Sequence, residues 1–198
     1  MPLTRVQIIS QSLTLLGKKP ILNLTNQSDI VTSANDAFDM LLQDTISKGF
    51  FRFATRIVQL NQNVNTPIGG YWLYNYTLPA DYVKLVHLWP VMYDFEIYEN
   101  NSLYSNFNNS SQPLYLEYEF TPLVQSLPPY FVKYFIYELA MHLALSNAQR
   151  PDYFDALKSE RTILLAQAQA ADSQNRPQTP LQSAPMLTRR FVSTFASG

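Results

Sequence analysis

Apolar residues recur at three- and four-residue spacing at both ends of this 198-residue chain and at two-residue spacing through its middle. Val6, Ile9, Leu13 and Leu16 make one helical stripe, opened by Thr4 as an N-cap and stopped by Gly17 and Pro20. Ser28 opens a second helix with the face Val31, Ala34, Phe38, Leu41, Leu42 and Thr45, closed by Gly49 after Lys48. Helical spacing returns at Leu127-Pro128-Pro129, where proline suits a first turn. A third helix is predicted from Pro129 or Tyr130 to about Asn147, and a fourth from Pro151 to about Asp172. The third is apolar almost all round, so it has to be enclosed, and the expectation is that sister copies or a larger particle enclose it. The fourth presents Phe154, Leu157, Leu164, Ala168 and Ala171 as its buried stripe. Arg161 falls within that spacing and must snorkel or find a carboxylate.

The middle of the chain reads as strands. Phe51 to Ile57, Tyr71 to Leu78, Tyr82 to Trp89, Tyr93 to Tyr98 and Leu114 to Phe120 alternate or carry strand-forming residues, with turn formers between them. Asn100 to Gln112 is rich in Asn and Ser and is predicted to be an exposed loop anchored only by Leu103, Tyr104 and Phe107. Helices and strands are grouped rather than alternating, which makes the fold class α+β: a helix pair, a block of four or five antiparallel strands, a C-terminal helical hairpin and an extended arm. Residues 1–173 form one domain in this reading, a helical bundle of 3–49 and 128–173 with an inserted β-rich block, 50–121. Residues 174–198 form an extended C-terminal arm of Pro, Gln, Ser and Thr with no packing pattern of its own.

Composition narrows the function classes. Fourteen basic against fifteen acidic residues give a formal charge of −1, so no global field draws the protein to nucleic acid or to an anionic membrane. Zero cysteines exclude disulfides, thiol catalysis and cysteine-ligated metals, and point to a reducing cytoplasm. The N-terminus shows no secretory pattern, so the Asn-x-Ser/Thr triplets follow from an Asn-rich composition. Tyr130 to Leu145 is too short to span a bilayer and carries Lys133, Glu138 and His142.

Candidate chemistry is sparse. Glu138 and His142, four apart, lie on one helical face and are read as a hydrogen-bonded or ionic pair, because no further ligands complete a metal site. Glu117 and Glu119 point to one side of a strand, as an acid/base pair would, but a solvated face or pairing with Arg52 or Arg56 accounts for them. Asp36 and Asp39 on the second helix, and Asp152 and Asp155 in the first turn of the fourth, suit ordinary helix electrostatics. No phosphate loop or nucleophile elbow is present. The chain is therefore expected to be non-enzymatic, with no metal and no cofactor. Tyr71, Trp72, Tyr74 and Tyr76 beside Arg52 and Arg56 leave one alternative, a platform stacking on single-stranded bases or sugars. Lys84 is the lone basic residue between Ile57 and Leu127, which disfavours the base-binding form.

Three segments carry a resemblance. Ile46-Ser47-Lys48-Gly49-Phe50-Phe51-Arg52-Phe53 after the helix pair, Tyr76-Thr77-Leu78-Pro79-Ala80-Asp81-Tyr82 in the strands, and Leu127-Pro128-Pro129-Tyr130-Phe131 before the helical hairpin resemble the head-to-tail adaptors of short-tailed bacteriophages. These are also called tail tubular protein A, and are related to head-tail connectors. The resemblance implies a virion protein at the head-tail junction, assembled in the host cytoplasm as a homo-oligomeric ring of about twelve copies. The ring would join the portal protein to the tail nozzle, of the tail tubular protein B type, and pass genomic DNA through its channel without specific binding; whether tail fibres attach stays open. It further implies that the arm docks on the portal, through Arg176, Met186, Leu187, Arg189, Arg190, Phe191, Val192 and Phe195. A cationic pair among apolar residues suits an acidic groove.

Overall fold

The computed structural model describes residues 3–25, 28–63, 70–90, 94–98, 101–110, 112–146 and 151–175. They form an α+β arrangement of four helices and two antiparallel three-stranded sheets around two hydrophobic cores. The predicted portal-docking residues Arg176, Met186, Leu187, Arg189, Arg190, Phe191, Val192 and Phe195 lie outside the described residues.

Local signals explain the helix ends. Helix α1 (Arg5–Leu15) opens on a capping box, with Thr4 Oγ1 accepting from the Gln7 amide and the Thr4 amide donating to Gln7 Oε1. It closes with Gly17 at φ 69° and the Lys18 amide donating to the Leu13 carbonyl, a Schellman arrangement. Helix α2 (Asp29–Gly49) ends differently from the expectation, because Phe50, not Gly49, takes the left-handed conformation. Gly49 is needed for room instead: a Cβ there would lie 2.1 Å from Cε2 of Phe51. Arg5 ties the pair together, donating to the Asp39 carboxylate at 2.9 Å and the Asn35 carbonyl at 2.6 Å while stacking 4.5 Å over Phe38.

Helix α3 (Pro129–Ser146) lies among α1, α2 and helix α4 (Pro151–Ser173). Its apolar girth is thus enclosed by its own chain, which corrects the expectation that sister copies are needed to enclose it. Phe38 meets Phe135 edge-on at 5.2 Å, Phe51 meets Phe131 at 4.9 Å, and Ser12 Oγ donates to the Ile136 carbonyl. The α4 stripe is as predicted at Leu157, Leu164 and Ala168, and Arg161 finds its carboxylate in Glu138.

The first sheet has the order β1 (Thr55–Leu60), β6 (Leu114–Phe120), β3 (Tyr82–Trp89), and the second β2 (Tyr74–Thr77), β5 (Ser102–Ser105), β4 (Phe95–Tyr98). Their inner faces share the second core, which includes Leu60, Leu88, Leu114, Leu116 and Tyr118 from one and Tyr76 and Leu103 from the other. Two expectations change here. The stretch predicted as a strand from Phe51 begins as a 3₁₀ turn (Arg52–Ala54), because Phe51 and Ala54 are drawn into the helical core. The predicted exposed loop from Asn100 contains β5, the central strand of the second sheet, with Leu103 fully buried and Phe107 in the same core. Four residues flanked by Asn and Ser have little strand propensity, so pairing on both edges and burial of Leu103 decide the outcome.

Candidate functional site

Where the helical and sheet cores meet, one carboxylate organises the join. Asp172 follows Ala168 at four-residue spacing and so continues the buried stripe of α4, with only 2% of its surface exposed. Its carboxylate accepts from the amide of Arg52 at 2.5 Å, the amide of Phe53 at 3.3 Å and the hydroxyl of Tyr130 at 2.8 Å. These close the 3₁₀ turn that leads from α2 into β1. Burial, reinforced by the Asp172 bond, raises the Tyr130 hydroxyl above the usual tyrosine range, so it remains a donor. Gln169 adds a bond from Nε2 to the Gly49 carbonyl, at the end of α2. The sequence reading missed Asp172; its place one turn beyond Ala168 in an apolar stripe is the signal that marks it.

From that join the outer face of the β1-β6-β3 sheet runs away from the bundle. Strand alternation sends Leu114, Leu116 and Tyr118 to the inner core and Tyr115, Glu117 and Glu119 outward. Register shifts in β3 between Tyr82 and Lys84, and between Leu85 and His87, re-aim that strand, so that Val86 and His87 both line a groove on this face. The groove has a volume of about 700 Å³ and is lined by Arg52, Ile57, Val86, His87, Trp89 and Glu117. Ile57 is 60% exposed, and Val86, Trp89 and Tyr115 are also substantially exposed. His87 packs on Trp89 with ring centres 4.2 Å apart.

The two candidate carboxylates on this face differ. Glu117 faces the groove, whereas Glu119 is 1% exposed, with Oε2 buried and without a hydrogen-bond partner. Burial raises the Glu119 carboxyl above the usual range, and the Lys84 charge opposes that rise. Lys84 is the register partner of Glu119 and lies 4.1 Å over the ring of Phe50. Arg56, a proposed partner of these carboxylates, instead pairs with Asp81 at 2.8 Å and stacks on Phe120.

The other predicted constellations separate. Glu138 is bound by Arg161, through Nε in a short bond and Nη2 at 3.2 Å, instead of forming the expected pair with His142. The guanidinium from the neighbouring helix reaches both carboxylate oxygens, a geometry an imidazole on the same helix cannot match. Tyr134 lies beside this pair, and burial first, then the charge of Glu138, raises its hydroxyl. Among the described residues no group of His, Asp or Glu is arranged to hold a metal. The aromatic quartet is not one platform: Tyr76 is fully buried and donates to the Phe107 carbonyl, and the Tyr74 hydroxyl accepts from Asn108. Tyr71 and Trp72 remain together, edge-on at 4.8 Å, and Tyr98 packs edge-on against Tyr104 at 5.1 Å.

No family model matches the chain, and no curated protein does. No helix among the described residues is long and apolar enough to cross a membrane.

Proposed function

We propose that this chain is a non-enzymatic structural subunit of a short-tailed phage virion, forming a ring that connects the capsid portal to the tail nozzle. The observation that carries the reading is the outer face of the β1-β6-β3 sheet. Ile57, Val86, Trp89 and Tyr115 stand exposed on one face beside His87 and Glu117, with no helix, loop or second sheet among the described residues over the groove they border. A face of this kind, aromatic and apolar with a few charges, has the composition of a subunit contact. Copies related by a rotation that closes would use it in a head-to-tail ring, which is the assembly that the resemblance in the three sequence segments implies. The two outward carboxylates of β6 differ in environment, since Glu117 lines the groove and Glu119 is buried with Oε2 unpartnered.

The test is assembly on the portal. Mixed with the portal protein of its own virion, the chain is expected to yield by mass photometry a species heavier than the portal by several copies of 22.7 kDa, about twelve for a complete ring. Cryo-electron microscopy of that species should show a ring coaxial with the portal. Absence of any portal-bound species would refute the proposal.

A further inference from the structure

We propose that the groove on the outer face of the β1-β6-β3 sheet is the seat for residues 186–192 of a neighbouring copy of this chain. The inference rests on the ring reading and gives it a specific subunit contact, between the arm and an adjacent copy.

Complementary chemistry comes first. Residues 176–198 contain three arginines, Arg176, Arg189 and Arg190, and no acidic side chain. Their apolar residues cluster around that pair, in Met186-Leu187-Thr188-Arg189-Arg190-Phe191-Val192. The groove offers Ile57, Val86 and Trp89 as apolar wall and Glu117 as an accessible carboxylate, with Arg52 and His87 completing its lining. A guanidinium placed against Glu117 would gain two charge-assisted bonds while its stem lies along Ile57 and Trp89. In an extended segment Arg189 and Phe191 share one face and Arg190 and Val192 the other, so either register presents one cation and one apolar side chain together.

The place where the described chain ends supplies the second argument. Asp172, in the last turn of α4, is bonded to the amides of Arg52 and Phe53, and Arg52 lines the groove. The last turn of α4 therefore lies beside a residue that lines the groove of the same chain. The ten residues 176–185, which include Pro177, Pro180 and Pro185, have a maximum reach of about 33 Å. Strand β1, which contributes Ile57 to the groove, has 6 residues and spans about 20 Å. Ten residues are long enough to reach past β1, which allows 186–192 to meet the groove of the next copy. Such an arm-to-groove contact is heterologous, so repeating it closes a ring or propagates a chain.

The decisive experiment is charge-swap complementation with the full chain, read by sedimentation velocity across a concentration series. Native protein is expected to self-associate. Glu117→Arg and the double substitution Arg189→Glu with Arg190→Glu should each weaken association at least tenfold, with an unchanged far-UV circular dichroism spectrum. Mixing the two variants should restore it, because each arm then meets a groove of opposite charge on the other variant; docking within one chain cannot be rescued this way. A milder pair, Glu117→Gln and Arg189→Gln, covers the case in which a reversal unfolds the sheet. Variants that associate like native protein, or a mixture no larger than its components, would overturn the inference. So would loss of portal binding in the arm variant with self-association intact, which would assign the arm to the portal. A native chain that is monomeric alone yet forms rings on the portal overturns this contact and leaves the ring reading standing; complementation without any portal-bound species does the reverse.

Discussion

Replacing Asp172 by alanine should uncouple the two cores. The carboxylate is 2% exposed and serves three donors: two backbone amides of the 52–53 turn and the Tyr130 hydroxyl. Hydrogen bonds to a charged acceptor are worth roughly 1.5–3 kcal/mol each, and donors left buried without a partner carry a desolvation cost of about 1–3 kcal/mol. Contributions that share one acceptor do not add fully, so a loss of about 3 kcal/mol is expected, a large part of the ~5–15 kcal/mol that holds a domain folded. With an m-value near 2 kcal/mol/M for urea, the midpoint should fall by about 1.5 M. Two probes separate the cores, because Trp72 and Trp89 both lie in the sheet half while α1–α4 dominate the far-UV signal. In native protein the fluorescence and circular dichroism transitions are expected to coincide; in Asp172→Ala they should part, since the bonds joining the bundle to the start of β1 are gone. Tyr130→Phe removes a single donor and should cost about 1 kcal/mol. The sign of the pH effect follows from the raised Tyr130 hydroxyl: its contribution is fully present below the ordinary tyrosine value and is lost as pH climbs through the higher folded value. A midpoint shift worth less than about 0.5 kcal/mol in Asp172→Ala, with coincident transitions, would refute this account of the join.

Two further substitutions test the packing and the buried charge. Gly49→Ala should destabilise by about 2 kcal/mol in urea titration despite a helix-propensity gain of roughly 1 kcal/mol, because its Cβ meets a Phe51 ring held by Phe53, Phe131 and Tyr134; a neutral or stabilising result would contradict the contact. Glu119→Gln should raise stability at pH 7 by about 1 kcal/mol, as it removes a desolvated charge whose Oε2 has no partner. Because burial raises the folded Glu119 carboxyl, native protein loses stability from this group as pH rises through that value, so the advantage of Gln should vanish toward pH 4. A gain that persists unchanged at pH 4 would contradict the argument.

The parts of the fold legible in the sequence are those with short-range causes. The Thr4 N-cap, the Gly17 stop, the α2 face from Val31 to Thr45 and the stripe of α4 all depend on residues within about one helical turn of one another. The alternation of β6 likewise announced which side holds Leu114 and Leu116. Arg161 declared its need for a carboxylate through its spacing, although the stripe does not say which one answers.

Distance along the chain hides the rest. Glu138 chose Arg161, 23 residues away, over His142 because the packing of α3 on α4 brought a two-pronged donor to it. Strand β5 exists because β2 and β4 flank it, not because Ser102–Ser105 favours a strand. Asp172 became the join only when α4 set it 2.5 Å from an amide 120 residues earlier. The groove needed β1, β6 and β3 to assemble out of chain order before Ile57, Glu117 and Trp89 could share a face. By itself the sequence determined the helices, their buried faces and the alternation of the longer strands, since these follow from dihedral preferences and from which side chains leave water over a few residues. Tertiary structure alone decided the partners, because pairing and register are settled by the summed burial of segments that the chain keeps far apart.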